Sequence, residues 1–113
     1  MHELSVAMSI VDIADEYASN ASATVVNEIE IEVGQLSGVI MDALKFAMDV
    51  ATKDTILENA SCKYIRIDGL SRCRDCTYEF ETDNLFTPCP KCQSYRQEII
   101  RGKELRIRSL TVE

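Results

Sequence analysis

Apolar residues recur at three- and four-residue spacing over positions 4–18: Leu4, Ala7, Met8, Val11, Ala14 and Ala18, with Ile10, Ile13 and Tyr17 widening the stripe. That spacing predicts an amphipathic helix, and no Pro or Gly interrupts it. The polar run Ser19-Asn20-Ala21-Ser22 ends it. Strict alternation follows over 25–33, with Ile29, Ile31 and Val33 on one side and Glu28, Glu30 and Glu32 on the other, the signature of a strand buried on one face. Gly34 closes that run. A second helix is expected over 39–52, where Ile40, Ala43, Leu44, Ala47, Val50 and Ala51 form a stripe broadened by Phe46. A second strand is expected over 61–68, with Ile65 and Ile67 on one face and Tyr64, Arg66 and Asp68 on the other. A last strand covers 104–112, with Leu105 and Ile107 inward and Arg106 and Arg108 outward. Its alternation slips near Ser109, because Leu110 and Val112 fall in the opposite phase, and a bulge or an edge position accounts for the slip.

These elements predict a two-layer α/β arrangement, a three-stranded sheet with two helices on its apolar face. The acidic face of Glu28, Glu30 and Glu32 is expected to oppose Arg66, Arg106 and Arg108, setting neighbour choice and register more than stability. Residues 70–98 differ in character: they hold four of the five cysteines, both prolines and little hydrophobic periodicity. The chain therefore divides into an α/β domain, 1–69 with 99–113, and an inserted four-cysteine zinc-ribbon domain, 70–98.

The 113 residues carry 19 acidic and 12 basic side chains, a net charge of −7. That balance disfavours a surface built for phosphate backbones, and the lack of Trp removes a stacking platform, so no nucleic-acid partner is expected. No apolar run is long enough to span a bilayer, and the first residues lack the basic flank and apolar stretch of a secretory signal. A cytoplasmic location is expected, and in that reducing compartment the cysteines are not expected to pair as disulfides.

Cys73-Arg-Asp-Cys76 and Cys89-Pro-Lys-Cys92 are two Cys-x2-Cys pairs separated by twelve residues. Two residues between thiolates let a tight turn aim both sulfurs at one ion, and two such turns give the tetrahedral sulfur set that zinc prefers. Cys73, Cys76, Cys89 and Cys92 are thus expected to hold a structural Zn(II) whose coordination is full, leaving no position for catalysis. An iron site of the rubredoxin type uses similar turns. Neither turn here is followed by Gly, since Thr77 and Gln93 stand in those places, which speaks against iron. A redox dithiol lacks its usual strand–helix context. Cys62 is expected to be a small half-buried core residue.

His2 is the only histidine. At position 2 it places an α-amine, a backbone amide nitrogen and an imidazole in one fused chelate, with the Glu3 amide or a partner available as a fourth donor. That nitrogen-rich planar set suits Ni(II) or Cu(II). An α-amine titrates near ~7.7–8.0, so loading releases protons and weakens as pH falls. A free, unligated tip is the competing reading.

Taken together, Met1-His2-Glu3-Leu4-Ser5, Glu30-Ile31-Glu32-Val33-Gly34-Gln35-Leu36-Ser37-Gly38-Val39, Ala43-Leu44-Lys45-Phe46-Ala47 and the two Cys-x2-Cys pairs resemble the HypA/HybF family of hydrogenase-maturation nickel metallochaperones across essentially the whole chain. The resemblance implies nickel at Met1, His2 and Glu3 as transferred cargo, and structural zinc at the four cysteines. It implies no enzyme activity and delivery of Ni(II) to the [NiFe]-hydrogenase large subunit, with a HypB-type GTPase as accessory partner and a monomer or weak homodimer as the working form. Some relatives carry His beside their zinc turns and are thought to exchange Cys for His ligation; with no second His, this chain has no such switch. The alternative reading is a zinc-ribbon adaptor that contacts protein or nucleic acid without nickel; overall charge stands against nucleic acid, and only the local cluster Arg72, Arg74, Lys91 and Arg96 favours it.

Overall fold

A computed structural model describes residues 2–113. The elements run α1 (Glu3–Asn20), β1 (Val26–Gly34), α2 (Met41–Ala51), β2 (Ser61–Ile67), β3 (Leu70–Cys73), β4 (Glu79–Glu81), β5 (Gln97–Arg101) and β6 (Leu105–Val112). They build two three-stranded sheets, ordered β2-β1-β6 and β4-β3-β5, in a molecule of 54 × 25 × 17 Å.

The first sheet is the expected one. β1 lies in its centre, parallel to β2 and antiparallel to β6. The parallel pairing requires a crossover, which α2 supplies. Ile29, Ile31 and Val33 are buried against Ala7, Ile10, Val11, Ala14 and Ala18 of α1 and against Leu44, Ala47 and Met48 of α2. Leu57, from the turn after α2, completes that core. The helix stripes are narrower than the sequence predicts. Leu4, Met8, Ile13 and Tyr17 of α1, and Phe46 and Val50 of α2, are exposed, while Ile40, just before α2, is exposed as well. Two helices on a three-stranded sheet present only one line each to the core, and residues one turn-quarter away fall outside it.

The phase slip in β6 is a bulge. Glu30 pairs with Ser109 and Ile31 with Ile107, so Arg108 is the extra residue. The bulge restores phase, and Leu105, Ile107, Leu110 and Val112 all pack on the core. β2 corrects the sequence reading. Its register sets Cys62 beside Ile29 and Tyr64 beside Ile31, so Cys62 and Tyr64 are the core-facing residues. Ile65 stands beside Glu32, on the acidic face. Alternation alone groups a strand's residues correctly but does not say which group is inside. Burial pushes the Cys62 thiol above its ordinary value and the Tyr64 phenol upward as well.

The charge pattern across the sheet also differs in part. Arg106 pairs with Glu32 as expected, but Glu28 takes Lys63 at 2.6 Å and Glu30 accepts from Ser109. Arg66 turns to Asp68 instead. The register shift at Arg108 and the inverted β2 face are the reasons.

The second sheet was not visible in the periodicity, because its strands are three to five residues long. β5 runs to Arg101, so the expected boundary at 98 falls inside a strand. The two sheets meet where three glycines touch backbone to backbone. A β-carbon on Gly34 would come within 2.0 Å of Gly102 O, and one on Gly69 within 2.2 Å of Thr82 O. Gly102 has φ +114°, a conformation side chains rarely adopt.

Gly34→Ala is therefore expected to lower the stability of the fold by about 1–3 kcal/mol, the range for forced overpacking. Chemical denaturation of the purified variant checks this, and a midpoint equal to wild type would refute the account of the joint.

Candidate metal centres

The four cysteines converge at the end of the second sheet. Cys73 ends β3, Cys76 lies in the turn that follows, and Cys89 and Cys92 come from the segment before β5. The two turns are built alike. Thr77 N–H donates to Cys73 O (2.9 Å) and Cys73 N–H to Tyr78 O (2.9 Å); Gln93 N–H donates to Cys89 O (2.7 Å) and Cys89 N–H to Ser94 O (2.9 Å). Both turns require a left-handed residue after the second cysteine, and Thr77 (φ 64°) and Gln93 (φ 62°) provide it. The absence of glycine at these places, read from the sequence as speaking against iron, does not alter the turn; it adds strain, most of all at β-branched Thr77.

The sulfurs form a cage. Cys73 Sγ lies 3.5 Å from Cys92 Sγ, Cys76 Sγ lies 3.6 Å from Cys89 Sγ, and all four fall within 4.8 Å of one another. A zinc ion at about 2.3 Å from each of four tetrahedral sulfurs needs edges of about 3.8 Å, which these spacings match. None of the five cysteines is in a disulfide. The cluster can hold a metal ion, and four thiolates leave it no open position.

Backbone N–H groups prepare the sulfurs for that role. Those of Cys76 and Asp75 draw the Cys73 thiol below its ordinary value. Burial pushes Cys89 up, but the N–H groups of Cys92 and Lys91 outweigh it and bring this thiol to about 7. Cys92 goes the other way. Ser94 N–H favours its thiolate, yet the neighbouring sulfurs of Cys73, Cys76 and Cys89 push it to about 12. Cys73 and Cys89 are thus shifted toward the thiolate, and Cys76 and Cys92 away from it.

Around the cage the basic cluster is largely spent. Arg72 pairs with Glu79 and Glu98, and Arg96 with Asp75 at 2.9 Å. Asp75 also accepts from Ser94 Oγ, tying one turn to the other. Lys91 sits over the Tyr78 ring, 5.8 Å from its centroid. The phosphate-binding face that would favour an adaptor on nucleic acid is thus mostly paired internally.

The amino-terminal residues stand apart from this cage. Met1 lies outside the described residues. His2 is exposed at the N-cap of α1 and makes no capping hydrogen bond with its side chain. Histidine is not a favoured cap, and the position leaves its ring free. Glu3 opens the first turn, where the helix dipole favours a carboxylate. Its Oε2 accepts from Ile40 N–H, just before α2, at 3.4 Å. His2 and Glu3 line a cleft of about 660 Å³ with Leu4, Ala43, Phe46 and Val50. The exposed Phe46 and Val50 that left the core therefore rim the cleft that holds His2. Sequence reasoning missed Ile40 as a neighbour of Glu3, since a backbone contact between residues 37 apart leaves no pattern.

The model of the family described as hydrogenase/urease nickel incorporation, metallochaperone, hypA matches residues 1–112. The chain belongs to the HypA family. Its members are maturation factors and metallochaperones, not catalysts. A hydrogenase maturation factor HypA from Parabacteroides distasonis is 47% identical over 113 residues, covering 100% of this chain and 98% of that protein. A second, from Geotalea daltonii, is 42% identical over 112 residues, covering 99% of each. The fold matches the solution structure of the Ni metallochaperone HypA from Helicobacter pylori with a TM-score of 0.72 at 24% identity, over 99% of this chain and 97% of that one. This family member, like its relatives, works in hydrogenase maturation. Among the described residues no helix is long and apolar enough to cross a membrane.

Two outcomes are expected at the cage. Protons compete with metal for the sulfurs, so bound metal is retained near neutral pH and lost only in acid, well below the ordinary thiol range, because the cation itself holds the sulfurs deprotonated. A chromophoric chelator assay from pH 7.5 down to strongly acidic pH measures this, and loss of the metal already at neutral pH would contradict four-thiolate ligation. Thr77→Gly is expected to stabilise the metal-loaded fold by about 1 kcal/mol, by removing a left-handed β-branched residue. Thermal unfolding of the loaded variant is the check.

Proposed function

We propose that this chain carries Ni(II) at Met1, His2 and Glu3 and takes part in its delivery to the [NiFe]-hydrogenase large subunit, with a HypB-type GTPase as accessory partner. The observation that carries this reading is the contrast between the two ends. Four sulfurs at Cys73, Cys76, Cys89 and Cys92 make a closed set suited to a resident structural Zn(II). His2 offers an exposed imidazole at a helix start, with no capping bond to give up. A cargo ion needs a site that is incomplete by itself, so that a partner can add a donor and later compete for the ion. The terminus fits that requirement and the cage does not.

On this reading the α/β unit is the nickel-binding domain and the four-cysteine unit, carried through to the end of β5 at Arg101, the zinc-binding domain, working in the cytoplasm as a monomer or weak homodimer. The apolar rim of Leu4, Phe46 and Val50 beside His2 gives a partner apolar area next to the cargo. The adaptor alternative has no comparable support, because Arg72 and Arg96 are already paired.

Ni(II) titration of untagged, zinc-loaded protein by calorimetry tests the proposal. His2→Ala is expected to weaken binding at least tenfold without altering zinc content or thermal stability. Nickel uptake by wild type should weaken as pH falls, since amine, amide and imidazole donors must lose protons. Equal affinity in wild type and His2→Ala would overturn the assignment.

A further inference from the structure

The four-cysteine cage has a sidedness that metal binding does not use. Cys73 and Cys89 are buried, Cys76 is half-buried and Cys92 is exposed. The two direct sulfur contacts, Cys73 to Cys92 at 3.5 Å and Cys76 to Cys89 at 3.6 Å, each join a covered sulfur to one that solvent reaches. Each also crosses from one turn to the other. The turns are held face to face by bonds that need no ion. Arg74 N–H donates to Arg96 O at 2.8 Å, Asp75 accepts from Ser94 Oγ, and Asp75 pairs with Arg96 at 2.9 Å. Cys62 stands outside this group, half-buried on β2 and packed against the core of the first sheet. With a cation in place all four sulfurs of the cage are thiolates, the form that reacts with peroxides. Exposure then decides which sulfur an oxidant in solvent meets first, and that sulfur is Cys92.

We propose that the four cysteines form a reversible redox switch, in which a peroxide joins Cys73 to Cys92 and Cys76 to Cys89 and so expels the bound ion. Cys92 Sγ first attacks one peroxide oxygen. The O–O bond breaks, hydroxide leaves and Cys92 becomes a sulfenic acid. Cys73 Sγ, already in contact, attacks the Cys92 sulfur; an S–S bond forms, the S–O bond breaks and a second hydroxide leaves. Two electrons pass from the sulfurs to one peroxide. Cys76 and Cys89 are then an incomplete donor set, and a second peroxide joins them in the same way. In sum, the loaded cage, two hydrogen peroxides and four protons give two disulfides, one free divalent ion and four waters. Four cysteines can pair in three ways, and the contacts select the one that links residues nineteen and thirteen apart. Pairing within a turn would close loops of only three residues' separation, which constrain the unfolded chain less. The new bonds replace the ion between the same two turns, so the small sheet stays closed. A dithiol reductant returns the four thiols and is itself oxidised to a disulfide. The switch rests on the cage holding a zinc ion as thiolates, and not on nickel at the terminus.

The test treats the zinc-loaded full chain with two equivalents of hydrogen peroxide, the amount that two disulfides consume. A zinc indicator dye should record release of one ion per chain, and thiol titration should fall from the five cysteines to Cys62 alone. Trypsin reads the pairing, because cleavage after Arg72, Arg74, Lys91 and Arg96 yields peptides 73–74, 75–91 and 92–96. The proposed pairing gives 73–74 bonded to 92–96, and 75–91 about two mass units lighter from its internal bond. The first product is expected ahead of the second, since it contains the exposed sulfur. Either other pairing ties all three peptides together. Dithiothreitol with Zn(II) should then restore five thiols and the full metal content. A three-peptide product, sulfinic or sulfonic acids in place of disulfides, zinc retained after the thiols are consumed, or failure to reload would overturn the proposal. Elemental analysis of the starting protein separates the two readings. A chain that carries no zinc yet gives the same two products upholds the pairing and removes zinc as the ion released.

Discussion

Four sulfurs held within 4.8 Å of one another are the constraint on which the small half of this protein depends. As thiolates, two of them at the observed spacing repel by on the order of 4–5 kcal/mol in a medium of effective dielectric 20, and there are several such pairs. Hydrophobic burial does not offset this. Among the described residues the apolar cluster of the small sheet is only Cys73, Phe80 and Cys89, with Cys76 packed beside them. A divalent cation turns the same arrangement from repulsive to binding, and the N–H groups aimed at Cys73 and Cys89 spread part of the remaining charge. A metal held there would in effect be the core of this unit.

The large half rests on ordinary burial and is free to leave its polar terminus unfinished. Its core is sealed by residues such as Ile29, Ile31, Leu44, Met48 and Leu57 and takes from α1 only residues after Ser5, beginning at Val6 and Ala7. His2 and Glu3 therefore carry no packing duty, and Glu3 is attached by one backbone amide. A site for transfer needs that freedom. The four clustered sulfurs offer the opposite, and they lie on the second sheet, which meets the first at three glycines.

The two helices, the three strands of the first sheet and both cysteine turns are legible in the chain. Each is written in a local signal: spacing of three and four, alternation of two, or a fixed interval between thiols. The bulge at Arg108 is legible as well, because an extra residue shifts the phase of everything after it. The face of β2 was not. Ile65 and Ile67 are more apolar than Cys62 and Tyr64, but the parallel register with β1 turns the latter pair inward. Composition ranks residues by preference for the interior, whereas register assigns them to it.

What the sequence by itself determined, then, is which residue types sit together along one element: an acidic strand face, a pair of metal turns, a lone histidine at a helix start. Tertiary structure alone decided which faces were buried and which distant residues met. The Glu3–Ile40 contact, the pairing of Glu28 with Lys63, and the closure of Gly34, Gly69 and Gly102 under Leu36 join segments tens of residues apart. Backbone amides and glycines have no side chain to advertise a partner, so contacts made through them leave no periodicity to read. They exist only once burial and the pairing of strands have brought the chain together.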